Sequence, residues 1–183
     1  PGDKVLVAIK GDFGLRLADM AGRYRADVRT IEKPWGEWFS LDELEAALIE
    51  HRPAMLALVH AETSTGVCQP MEGVGDLCRK HDCLLLLDTV TSLGGVPLYI
   101  DDWKVDLAYS CSQKGLSCPP GLGPFTMGPR AEEKLDRRSG KVPNWYLDVS
   151  LLNQYWGSDR VYHHTAPVNM NFGMREALRL LAE

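Results

Sequence analysis

Two residues stand where the chain could do chemistry. Asp88 directly follows four consecutive leucines, Leu84 to Leu87, a run that reads as a buried strand. A carboxylate at the end of such a strand costs several kcal/mol, roughly, unless it is paired or hydrogen-bonded. The local pattern leaves two roles open: a helix N-cap or loop anchor, or a partner for a cationic ligand atom or a metal. Lys114 lies in Ser110-Cys111-Ser112-Gln113-Lys114-Gly115, straight after the next apolar run, and Cys118-Pro119-Pro120-Gly121 follows it. Most lysines are solvated surface charges. One flanked by small residues in a stiff loop can also lose its proton readily and form a Schiff base. Asp88 and Lys114 are 26 residues apart at two successive strand ends. Together they suit pyridoxal phosphate, which needs a lysine for an imine and a carboxylate to keep its pyridine nitrogen protonated.

The elements that must position this pair alternate along the chain. Strands are predicted at Val5–Ile9, Val28–Ile31, Met55–Val59, Cys83–Leu87 (ending at Asp88), Leu107–Ser110 and Phe125–Met127. Helices are predicted over Leu15–Tyr24, from Leu41 to about His51, from Pro70 through Val74, Leu77 and Cys78, and from Pro129 to about Arg138. Ser40-Leu41-Asp42-Glu43 is a capping box that opens the second of these. The alternation predicts an α/β layer fold with a mainly parallel sheet. Ligands of such sheets bind outside the carboxyl ends of the strands. Three loops then become the candidate site: His60–Gly66, Asp88–Gly95 and Ser110–Pro120. After Gly140 the pattern is aromatic-rich and irregular.

Composition narrows the class. The chain has 183 residues, 45% hydrophobic and 25% charged, in the range of ordinary globular domains. A net charge of −5 argues against a broad nucleic-acid-binding surface. No apolar run approaches the ~18–20 residues of a membrane span. Five cysteines, an odd number without a C-x-x-C pair, suit reduced thiols in a cytoplasmic setting. Pro1-Gly2-Asp3 reads as a turn entering a strand, and Glu183 falls inside a helical pattern with no stop signal. Both ends are therefore expected to be internal points of a longer protein.

Other motifs carry competing chemistry. His60-Ala61-Glu62 matches half of a zinc deaminase signature, but the P-C-x-x-C half is missing. His163 and His164 invite a metal reading; adjacent histidines in a strand would point to opposite faces, and no further ligands stand nearby, so no metal is expected. Phe13 alone reads equally as a core aromatic, and Thr63, Ser64 and Thr65 as a polar turn. Trp35, Trp38, Trp145 and Trp156 are expected to serve packing or an interface.

Five stretches taken together resemble the class V, fold-type I aminotransferases, on the alanine–glyoxylate / serine–pyruvate branch. They are HAETSTGVCQP (60–70), LLLLDTVTSLGG (84–95), YSCSQKGLSCPPG (109–121), NQYWG (153–157) and YHHTAP (162–167). The resemblance implies a three-layer α/β/α large domain, incomplete here. Residues 1–166 would be the pyridoxal phosphate-binding domain without its N-terminal part, and 167–183 the start of a helix towards an absent small domain. It implies that Lys114 is the Schiff-base lysine and Asp88 the pyridinium partner. Val90 would pack on one ring face, and Phe13 would take the stacking position that commonly holds tryptophan. Thr63 would contact the ring hydroxyl and Gln113 the phosphate. Tyr162 and Thr165 would reach the phosphate of a neighbouring subunit, making a homodimer with shared sites. The implied reaction moves the amino group of alanine or serine to glyoxylate or pyruvate by a ping-pong route. The alternatives are a cysteine desulfurase or lyase of the same class, which usually places His where Phe13 and Gln113 stand, and a non-catalytic piece of the fold. The family's phosphate loop and its carboxylate-binding arginine are not found among these residues.

Overall fold

A computed structural model describes residues 2–183; Pro1, the first residue of the expected turn, lies outside the described residues. The chain runs β1 (Lys4–Ile9), α1 (Asp12–Arg23), β2 (Asp27–Glu32), α2 (Leu41–His51), β3 (Met55–Val59), β4 (Ala61–Glu62), β5 (Val67–Cys68), α3 (Val74–Lys80) and β6 (Leu84–Asp88). It continues through β7 (Leu107–Tyr109), β8 (Phe125–Met127), α4 (Pro129–Asp136), α5 (Val149–Trp156) and α6 (Val168–Leu181). Six strands form one sheet in the order β2-β1-β3-β6-β7-β8. All neighbours are parallel except β8, which runs antiparallel to β7. The expected α/β class with a mainly parallel sheet is the observed one.

Side-chain alternation along the strands builds two cores. Leu6, Ala8, Leu56, Leu58, Leu85 and Leu87 face α2 and α3, where Leu44, Leu48, Val74 and Cys78 complete a buried cluster. Val7, Ile9, Ala57 and Val59 face the other way and meet Leu17 of α1. Helices thus cover both faces of the sheet. An apolar groove of about 430 Å³ stays open on the α1 face, beside Val5, Val7, Met20, Leu86 and Tyr109. Since β1 lies between β2 and β3, the loops after β1 and β3 diverge there, and the crevice between them is the place where ligands bind in such sheets.

Most element limits follow local signals. Ser40 Oγ accepts from the Glu43 N–H while Glu43 Oε2 accepts from the Ser40 N–H, so the capping box forms as read. α2 stops at Arg52, which is left-handed (φ 45°) and precedes Pro53. Three expectations need correction. The third helix starts at Val74 and not at Pro70, because Gly73 takes a left-handed N-cap conformation (φ 83°) after a turn. Leu15 is not the start of α1, which begins three residues earlier, at Asp12. The region after Gly140 contains a full helix, α5, capped by Asp148, whose carboxylate accepts from the Ser150 N–H. No helix of the described residues is long and apolar enough to cross a membrane, and the five cysteines are free.

Candidate active site

The carboxyl ends of β1, β3, β6 and β7 bring four loops together. Asp88, the last residue of β6, is 5% exposed. Its Oδ2 accepts from the Tyr109 hydroxyl at 2.6 Å and its Oδ1 from the Val90 N–H at 2.8 Å. Tyr109 is the residue paired with Asp88 in the β6–β7 ladder, so the register itself supplies the donor. Burial pushes the Asp88 carboxyl above its ordinary range, opposed by the Tyr109 and Val90 bonds. Burial and the neighbouring Asp88 charge likewise raise the Tyr109 phenol, which stays a donor. An ionised carboxylate has about four acceptor sites, so two donors leave capacity for another N–H. Among the described residues no lysine, arginine or histidine forms an ion pair with Asp88. A protonated ring nitrogen fits that vacant capacity.

Lys114 lies five residues beyond Tyr109 on the loop after β7. It is exposed and makes no side-chain hydrogen bond or ion pair among the described residues. Glycine contacts draw its loop against the one that follows Asp88. A Cβ on Gly115 would sit 2.3 Å from the Leu93 carbonyl oxygen and 3.0 Å from the Gly95 nitrogen. Gly94, at φ +79°, leaves its own Cβ direction 3.0 Å from the Gly115 carbonyl. Backbone cannot yield as a side-chain tip does, so Gly115→Ala is expected to destabilise the fold by about 1–3 kcal/mol and separate the two loops. Urea unfolding of the variant measures this; unchanged stability would mean that the close approach is not required.

The loop after β3 turns back as the short β4–β5 hairpin, whose tip carries Thr63. Thr63 Oγ1 lies 2.5 Å from Thr91 Oγ1, tying this tip to the Asp88 loop. Glu62 is fully buried beneath it. Its carboxylate accepts from the N–H groups of Phe13 (3.4 Å), Gly14 (3.3 Å) and Ser64 (3.2 Å), and Ser64 Oγ accepts from the Asp12 N–H at 2.9 Å. The amides at the start of α1 that lack a partner within the helix are therefore capped from another loop. Gly11 makes this possible, because a Cβ there would lie 2.4 Å from Glu62 Cγ. Phe13 sits in that first turn, half-buried, with the Arg16 guanidinium 4.8 Å from its ring centroid. Val90 is half-buried beside Asp88, and Gln113 is exposed next to Lys114.

Tyr162 and Thr165 join each other through their hydroxyls at 2.9 Å, with Tyr162 71% exposed, but no hydrogen bond links them to the Asp88 loops among the described residues. The two histidines beside them correct an expectation. Residues 161–167 are not a strand, and the His163 and His164 rings meet with their Nδ1 atoms 2.9 Å apart. His163 also stacks on Trp145 at 4.4 Å, so the pair belongs to an aromatic cluster with Tyr146 and Tyr155. Tyr109, Thr91 and Glu62 are parts of the site that no motif singled out for these roles. Tyr109 was detectable as the residue opposite Asp88 once the ladder register is assumed.

Comparison with known proteins shows the family. The family model for Aminotransferase class-V matches residues 1–183. The alanine–glyoxylate aminotransferase of Mus musculus is 44% identical over 186 aligned residues, which take in 100% of this chain and 45% of the relative. The (S)-ureidoglycine–glyoxylate transaminase of Bacillus subtilis is 36% identical, over 100% of this chain and 48% of the relative. The crystal structure of an alanine–glyoxylate aminotransferase from Nostoc sp. superposes with a TM-score of 0.98 at 70% identity, covering 100% of this chain and 48% of that one. The chain spans about half the length of the curated relatives it matches.

Proposed function

The chain belongs to the class V aminotransferase family and has the α/β fold of its fold-type I members, and on that premise we propose that it forms most of the cofactor-binding domain of a pyridoxal phosphate-dependent aminotransferase. In this reading residues 1–166 belong to that large domain and 167–183 begin the helix towards a small domain. The observation that carries the proposal is the buried Asp88 carboxylate, held by Tyr109 and Val90 with acceptor capacity to spare, beside a loop that presents the unpaired Lys114 amine. When bound, pyridoxal phosphate would supply an aldehyde able to condense with the Lys114 amine and a ring able to accept the electron pair released at the amino acid's α carbon. Asp88 would hold a proton on the ring nitrogen by opposing its positive charge. Tyr109 and the Val90 N–H fix the orientation of the Asp88 carboxylate. Thr63 and Gln113 offer polar contacts, and Phe13 and Val90 offer apolar cover to the ring. Once the incoming amino acid frees its amine, Lys114 Nζ would take the proton from the α carbon and deliver it to the cofactor's aldehyde carbon, as a general base and then acid. Tyr162 and Thr165, exposed and joined to each other, would serve a neighbouring subunit's site in a homodimer.

The names of the relatives support alanine as amino donor and glyoxylate as acceptor; the reading extends this to serine as donor, pyruvate as acceptor and a reduced, cytoplasmic setting. Amino transfer in two half-reactions predicts parallel lines in double-reciprocal plots when alanine is varied at several fixed glyoxylate concentrations. That result is expected of the full-length protein. Intersecting lines, or alanine released from cysteine in place of amino transfer, would remove this reading in favour of another chemistry of the class.

A further inference from the structure

One buried charge has no part in the scheme above. Lys10 follows the apolar run of β1 and is 0% exposed, the largest of the fully buried side chains. Its Nζ donates to the Val67 carbonyl at 3.1 Å and to the His60 carbonyl at 3.4 Å. His60 immediately precedes β4 and Val67 opens β5, so a single ammonium closes both ends of the hairpin that carries Thr63. Through the Thr63–Thr91 contact the hairpin meets the Asp88 loop. No carboxylate stands within ion-pair distance of Lys10 among the described residues. The charged and titratable groups around it are Glu62 on β4, Cys68 on β5, Asp88 on β6 and the His60 ring. Glu62 and Asp88 are both buried, and the Glu62 charge raises the Asp88 carboxyl. The His60 ring is pushed down to about 4, first by burial and then by Lys10, so it adds no positive charge near neutral pH.

We propose that Lys10 is a positioning residue of the Asp88 site: its buried ammonium closes the β4–β5 hairpin and compensates the negative charges of Glu62 and Asp88. Burial draws the Lys10 ammonium down to about 8, which leaves it mainly charged at neutral pH. A lysine kept only for packing would be replaceable by an isosteric apolar residue without electrostatic consequence.

The cofactor arm of the test rests on the function proposed above; the second arm does not. In the full-length protein, pyridoxal phosphate retention is measured by dialysis and absorbance as pH is lowered. Lys10→Met leaves Glu62 and Asp88 uncompensated and is expected to raise the acid midpoint of cofactor loss by about 1 pH unit. Adding Glu62→Gln removes one negative charge and is expected to return the midpoint towards wild type. An unmoved midpoint in Lys10→Met, or a shift that Glu62→Gln does not reverse, overturns the proposal. The second arm uses cofactor-free wild type and Glu62→Gln, so it stands even where Lys10→Met does not fold. Because the folded Lys10 pKa lies below its ordinary 10.5, the unfolded chain binds the proton more tightly between about 8 and 10.5, and stability rises with pH there. Glu62→Gln removes a carboxylate that favours the ammonium, so the rise begins at lower pH. Urea unfolding across that range reads both effects; a flat wild-type curve, or an onset that Glu62→Gln leaves in place, contradicts the charge compensation.

Discussion

Lys114→Ala in the full-length protein lowers kcat/KM for amino transfer by on the order of 10²–10⁴-fold or more, the range of a lost general base, with the loss of covalent attachment added to it. The expectation comes from where the residue sits. Lys114 is exposed, unpaired and carried on a loop that Gly94 and Gly115 hold against the Asp88 loop. Nothing else in the described structure leans on its side chain, so unfolding free energy should move by no more than about 0.5 kcal/mol. Activity and stability are thereby separated: loss of a catalytic lysine abolishes one and spares the other. Steady-state assays with alanine and glyoxylate, alongside urea unfolding of the same preparations, give both numbers. Normal turnover in Lys114→Ala would show that another amine does the work.

Asp88→Asn is expected to weaken pyridoxal phosphate binding by roughly 10²–10³-fold, the cost of removing one member of a buried charge pair. The amide keeps the volume and can still accept from the Tyr109 hydroxyl, but it has no charge to set against a protonated ring nitrogen. The sign of the stability change is the distinguishing feature. Burial raises the folded Asp88 pKa above 3.8, so as pH rises through that interval the folded state holds its proton longer and stability falls. At neutral pH the charge is a net cost to the cofactor-free fold, and Asp88→Asn should leave that fold as stable as wild type or more so. Isothermal titration with pyridoxal phosphate and thermal melts of the cofactor-free protein test the two halves. Equal destabilisation of both forms would return Asp88 to the role of a loop anchor.

The strands were the most legible part of the fold. Met55–Val59 and Phe125–Met127 coincide with the observed strands, because buried apolar runs bounded by breakers carry their own limits. Misjudged limits trace to contacts from elsewhere in the chain. The first turn of α1 is capped by Glu62 and Ser64, which no window around Asp12 contains. The two-residue strands β4 and β5 are too short to leave a period. By contrast α5 had a local signal, Asp148 before Ser150, that the surrounding aromatics obscured.

The site was legible unevenly for the same reason. Asp88 and Lys114 stand out because each is a charge directly after an apolar run, and the family resemblance rests on several motifs in register. Lys10 obeys the same rule, following Val5–Ile9, but nothing local in the sequence separates it from a solvated lysine. Tyr109 and Thr91 act through ladder register and a loop-to-loop hydroxyl contact, which only the folded arrangement reveals.

The most direct test of the central assignment is borohydride reduction of the full-length protein loaded with pyridoxal phosphate, followed by proteolysis and mass spectrometry. The expected result is one stable pyridoxyl adduct, on Lys114, with amino transfer lost in step with its formation. An adduct on Lys10 or any other lysine, or no adduct on a protein that still transfers amino groups, would contradict the assignment of Lys114 as the covalent centre.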